Sequence, residues 1–205
     1  ILTVVKRQLA SLRLSFLITA LVMLLATTSA DAAAALSRGN YSWLLAVLAP
    51  FFLVFYDYSK LLHLGATKRD FYLGSLMCYA GLALLISGTN TGIHLLVDPL
   101  NQSQAVVNLM ELCGWWANGP LAALFQQFLF LLLAMLFSHV LLSMQANWYG
   151  WVADGLLVAV ISIFTPIAPL RQILSEFFRL IMINGNAVTH SAACIALIAA
   201  LAFAG

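Results

Sequence analysis

Charge is what this sequence has least of. Only 8% of its 205 residues are Asp, Glu, Lys or Arg, where a soluble domain carries roughly 25%. With 63% apolar residues and a mean hydropathy of +1.01, the chain cannot clothe a water-facing surface, so a soluble globular domain is excluded. A net charge of +2 gives no basic footprint for nucleic acid. The cysteines, Cys78, Cys113 and Cys194, form no disulfide framework, and two of them sit in apolar runs as small core residues. No hydrophilic stretch is long enough to fold as a second domain. There is no Gly-x-x-x-x-Gly-Lys-Ser/Thr loop, so ATP is not bound by that route. The Gly-x-Ser-x-Gly and His-Glu-x-x-His motifs are missing too. Ser138 beside His139 is not a catalytic pair, since neighbours on a helix point about 100° apart.

What is present is a series of long apolar runs. At about 20 residues per helical span plus connections, the length fits roughly six. The expected architecture is an all-α integral membrane protein, one transmembrane domain over 1–205, with spans near 14–30, 43–56, 71–87, 121–143, 152–165 and 187–203. Lys6, Arg7 and Arg13, with Leu9 and Leu12 between them, open the chain as a short amphipathic surface helix. A signal peptide is the competing reading of this start, with "ATTSADA" as the cut site. The third apolar run continues to Val97, but "SGTNTG" interrupts it, and the helix is expected to leave the hydrocarbon near Ser87. In "LRQILSEFFRLIMING", Ile173, Leu174, Phe177, Phe178 and Ile181 share one helical face. That pattern predicts a surface-lying or membrane-dipping helix before the last span. Ala192, Ala196 and Ala200 in the last span form a small-residue ridge that lets helices approach closely.

Orientation follows from Lys and Arg. With the N-terminus inside, Lys6, Arg7, Arg13, Lys60, Lys68 and Arg69 lie on the inner side and Arg38, Arg171 and Arg179 on the outer. The positive-inside rule then places both termini in the cytoplasm of a multi-pass cell-membrane protein.

The stretch "LLHLGATKRDFYLG", Leu61 to Gly74, carries two of the nine Lys and Arg residues, Lys68 and Arg69, with Lys60 just before it. "YDYSKLLHL" forms about two helical turns, Gly65 suits a left-handed C-cap, and Thr67 with Asp70 suits a capping box on the next helix. Two features stand out. Lys68 and Arg69 occupy a helix N-terminus, where the macrodipole disfavours cations. Leu61, Leu62 and Leu64 lie outside the hydrocarbon. Two readings fit: a plain surface helix held inside by its charges, or a helix that docks into a partner's groove.

Other residues carry their own pairs of readings. His139, in the fourth span, and His190, in the sixth, are ionisable groups inside the membrane, but they have no partner at metal-ligand spacing. They read as neutral side chains bonded to a neighbouring helix. Asp154 is an ion site or an interfacial carboxylate; Gln126 and Gln127 bond between helices or face a cavity.

"LGATKRDFYLGSL" resembles the segment between the second and third spans of membrane subunits of type-two ABC exporters, where Gly, a small residue, Ser or Thr, basic residues, an acid, an aromatic and Gly follow one another. The six-span plan, the N-terminal surface helix and the dipping helix before the last span also resemble that family. "WYGWVADGLL" resembles the entry to its fifth span, but the basic residue often found there is missing. The resemblance implies a permease with a cytoplasmic coupling helix between spans two and three. Lys60, Leu61, Leu64, Lys68, Arg69 and Asp70 would contact a separate ATPase subunit that carries ATP and Mg, with no cofactor in this chain. A second permease subunit, identical or related, would complete the pathway for a hydrophobic or amphipathic cargo such as a peptide. Two rivals stand beside it: a six-span binding component of an ATP-driven uptake system, with "SGTNTG" and His94 forming an outer pocket, and a non-transport immunity or assembly protein.

Overall fold

A computed structural model describes residues 2–25, 34–100 and 105–204. The chain is built almost wholly of helices. In order these are α1 (Leu2–Ser11), α2 (Arg13–Leu25), α3 (Leu44–Phe52), α4 (Tyr58–His63), α5 (Lys68–Leu96), α6 (Leu109–Leu112), α7 (Pro120–Met144), α8 (Trp148–Phe164), α9 (Ala168–Ile181) and α10 (Ala187–Ala204). Two three-residue strands, β1 (Ala34–Leu36) and β2 (Ala105–Val107), pair in parallel.

Three helical runs are long and apolar enough to cross a membrane: Arg38–His63, Lys68–Leu100 and Pro120–Met144. Counting each bent pair as one span raises the number to five. α1 and α2 meet at 45°, and α8 and α9 at 119°. α10, the shorter apolar helix, is the remaining element of the six expected from sequence. The end of the expected first span, 26–30, and the "ATTSADA" segment lie outside the described residues.

α7 is the hub. Its Leu131, Leu132, Met135 and Leu136 pack against Leu45, Ala49 and Leu53 from the second run and Tyr79, Leu82, Ala83 and Ile86 from α5. On another side, Leu129 and Leu133 meet Cys194, Leu197, Ile198 and Leu201 of α10. This contact face is not the alanine ridge: Ala192, Ala196 and Ala200 are exposed. The bulky residues of α10 gain more dispersion and apolar burial against α7 than alanine methyls would.

Two boundaries differ from the sequence reading. The second run does not end near residue 56. Pro50 sits inside α3, the backbone widens into a π turn over Leu53–Asp57, and α4 continues the run directly. The Tyr58 amide bonds the Leu53 carbonyl, so the helix absorbs an extra residue without breaking. α5 also continues through "SGTNTG". Its polar residues face protein: Ser87 and Asn90 are fully buried, and Asn108 Nδ2 donates to Asn90 Oδ1 at 2.9 Å. A satisfied amide no longer needs water, so the helix has no reason to stop there. α9, where the sequence pattern placed a short helix, is a separate 14-residue helix, about 21 Å long and too short to cross about 30 Å of hydrocarbon. Ile173, Phe177 and Phe178 on it are exposed, while Ile181 is buried.

Candidate partner-docking surface

The turn between α4 and α5 is held by two local motifs. At the end of α4, the Ala66 amide bonds the Leu61 carbonyl and the Gly65 amide bonds the Leu62 carbonyl, both at 3.0 Å. This is a Schellman closure, and it requires the left-handed φ of +86° that Gly65 adopts. At the start of α5, Thr67 is extended, and its Oγ1 accepts from the Asp70 amide at 3.1 Å. Asp70 answers through its side chain: its Oδ2 accepts from the Thr67 hydroxyl at 2.6 Å, instead of reaching the Thr67 amide as a longer Glu does in the standard box. Thr67 and the acid near its helix N-terminus offset part of the penalty carried by Lys68 and Arg69.

These motifs fix which side chains face outward. Lys60, Lys68 and Arg69 are exposed, and Asp70 is partly so. Among the described residues no carboxylate forms an ion pair with any of the three cations. The two leucines expected to act together are separated. Leu64 is 61% exposed, whereas Leu61 is 5% exposed and belongs to the interior. Of the two, Leu64 alone faces outward in this chain. Leu61 lies within α4, whereas Leu64 is the C-cap at which the helix ends.

α1 lies beside this turn. Gln8, fully buried, donates from Nε2 to Ser75 Oγ on α5 at 2.8 Å. Gly74 makes that approach possible, since a Cβ there would stand 2.8 Å from Gln8 Oε1 and 3.0 Å from Val4 Cγ1. Between α1 and α4 opens a cleft of about 400 Å³. Arg7 and Lys60 supply its cations, Leu61 and Leu64 its apolar wall, and Ser11 and Asp57 its polar lining. Ser11 Oγ donates to Asp57 Oδ1 at 2.7 Å; Asp57 is 5% exposed, and its Oδ2 has no hydrogen-bond partner among the described residues. No sequence pattern marked Asp57 or Arg7 as belonging together, because they lie on elements far apart in the chain.

The other end of α5 is different. His94 sits between two carboxylates, with Nδ1 3.0 Å from Asp98 Oδ2 and Nε2 3.5 Å from Glu111 Oε1, and its ring meets Trp116 edge-on at 4.4 Å. Asn40 Nδ2 donates to the Val107 carbonyl, and its Oδ1 accepts from the Leu109 amide. Thr91 Oγ1 donates to the Met110 sulfur at 3.7 Å. Asn90 and Thr91 of the "SGTNTG" region are thus bonded within the protein. A second cleft of about 360 Å³, with Arg38, Ser37 and Asp98 on its lining, lies at this end.

Some of the isolated polar residues bond between helices. The Tyr79 hydroxyl and His139 Nδ1 share a hydrogen bond of 2.8 Å between α5 and α7. His190 is buried against Trp115, its Nε2 3.7 Å from Cys194 Sγ. Gln126 donates to the Asn184 carbonyl at 3.2 Å, and Asp154 accepts from Gln145 at 2.6 Å. Gln127 is fully buried with neither amide atom paired among the described residues. No group of three His, Cys, Asp or Glu able to hold a metal occurs among the described residues.

No protein family, no curated protein and no solved structure matches the chain.

Proposed function

We propose that this chain is the permease subunit of an ATP-driven exporter of the ABC type, with six spans, both termini cytoplasmic and the α4–α5 turn as its coupling element. The observation that carries the reading is the turn itself. A rigid, doubly capped corner presents Leu64, Lys60, Lys68 and Arg69 outward with no ion-pair partner in this chain among the described residues. An acidic, partly apolar groove on an ATPase is its natural complement, with the charges setting register and encounter rate. α4 runs without a break into the second run, so force applied at the corner would pass along that helix to the α7 hub. ATP and Mg would reside on the ATPase. Two permease subunits would flank the pathway, and the scarcity of charge on the helices suits a hydrophobic or amphipathic cargo.

The test is co-purification with the candidate ATPase and measurement of its turnover in nanodiscs. Leu64→Ala with Lys68→Ala and Arg69→Ala should abolish the complex while the permease stays folded. An unchanged complex and unchanged turnover would reduce the corner to a surface turn and remove the main support for the reading.

A further inference from the structure

The cleft between α1 and α4 has a charge pattern that a protein groove for acidic side chains does not need. Two cations, Arg7 and Lys60, line it together with one buried carboxylate, Asp57. Asp57 is 95% withdrawn from solvent by its 5% exposure, and one of its oxygens has no partner among the described residues. A buried carboxylate oxygen without a donor is costly, and a ligand that brings an N–H to it recovers that cost. A simple anion would satisfy Arg7 and Lys60 but would face Asp57. A simple cation would satisfy Asp57 but would face Arg7 and Lys60. The complement is a zwitterion carrying a phosphate and a primary ammonium a few bonds apart.

Depth in the bilayer points to the source of that zwitterion. The run Arg38–His63 has 26 residues and is about 39 Å long, roughly 9 Å more than the hydrocarbon thickness. The charged residues at its ends, Arg38 and Lys60, place that excess in the headgroup layers. α2, which follows α1 in the chain, exposes Leu14, Leu17 and Leu21, a surface suited to acyl chains. We infer that the cleft is a binding site for a phospholipid with an aminoethyl headgroup: Arg7 and Lys60 hold the phosphate, and Asp57 Oδ2 accepts from the ammonium. This inference does not depend on the exporter reading, and no ATPase enters its test.

The full chain is delipidated in detergent, offered an equimolar mixture of phosphatidylethanolamine, phosphatidylcholine and phosphatidylglycerol with identical acyl chains, and examined by native mass spectrometry. The ethanolamine lipid should be retained roughly ten-fold over the other two, because a charge-assisted hydrogen bond to Asp57 is available only to a primary ammonium. Asp57→Asn, which can still accept from Ser11, should bring the three lipids to equal retention. Arg7→Gln with Lys60→Gln should lower retention of all three together. Lys68→Gln, outside the cleft, should leave the ten-fold preference in place. Equal retention of the three lipids by the parent chain overturns the assignment with no variant needed. So does an undiminished preference in Asp57→Asn. Free phosphoethanolamine binding in place of any lipid would move the site to a soluble ligand and overturn the lipid assignment.

Discussion

The two ends of α5 are built on opposite principles. At its C-terminal end the polar groups answer one another: Asn90 with Asn108, His94 with Asp98 and Glu111, Asn40 with the strand and helix that follow it. At its N-terminal end the backbone is just as well capped, yet the charges are left over. Lys60, Lys68 and Arg69 have no ion-pair partner in the chain among the described residues, and Asp57, on the lining of the cleft, keeps one buried oxygen unbonded. Buried polar networks are retained in native proteins when every member is satisfied. On the proposed reading the closed end serves stability and the open end serves association.

The contrast can be tested most severely within the open end itself. Leu61→Ala should destabilise the folded chain by about 2–4 kcal/mol, since a buried leucine is truncated with only partial relaxation around it. Thermal unfolding in detergent would read this as a clear drop in Tm. A Tm equal to the parent's would mean that Leu61 faces outward after all and that the division of labour between Leu61 and Leu64 is mistaken.

At the closed end, Asn108→Ala should cost about 2 kcal/mol. It removes the partner of Asn90 and the side-chain cap on the Met110 amide together. The same unfolding assay checks it; a loss within experimental error would show that water replaces the asparagine and that this end is not sealed.

Gly74→Ala should be smaller, about 1 kcal/mol, because the methyl meets side-chain atoms of Gln8 and Val4 that can shift. Its sharper signature is positional. Cysteine cross-linking between α1 and α5 should weaken as α1 is pushed away, and cross-linking at the parent's yield would contradict the close approach.

Smallest in stability is Leu64→Ala, expected within about 0.5 kcal/mol of the parent because the side chain is exposed. Its effect belongs to binding: ATPase affinity should fall several-fold. Lys68→Ala with Arg69→Ala should act more mildly and lose most of its effect at high salt. Salt-independent loss would indicate that these residues act through the fold and not through a charged partner.

Particular residues show where the sequence was enough. Gly65, Thr67 and Asp70 were readable as caps because a cap is set by residues three or four apart, and the chain cannot rearrange them. The amphipathic face of α9 was readable for the same reason. Ile173, Leu174, Phe177 and Phe178 repeat at the helical period whatever they touch. Leu61 and Leu64 were not separable, since both are leucines on one turn and only the end of the helix at Leu64 parts them. "SGTNTG" pointed to a helix end because nothing near it in sequence could bond Asn90; Asn108 arrives from beyond the next loop. The alanine ridge of α10 suggested a packing face, but the larger residues beside it made the contact.

The composition alone determined that this chain is helical and apolar enough for a membrane, because so few charged groups cannot solvate a surface and every backbone amide in lipid must bond within its own helix. It also determined the corner at Gly65–Thr67, since left-handed φ and side-chain caps are local requirements. The tertiary structure alone decided what those pieces meet. Gly74 became the seat of α1, Leu61 turned inward, and Arg7, Lys60 and Asp57 came to share one cleft. Those outcomes depend on distances between segments remote in the chain, which packing of whole helices sets and no local pattern encodes.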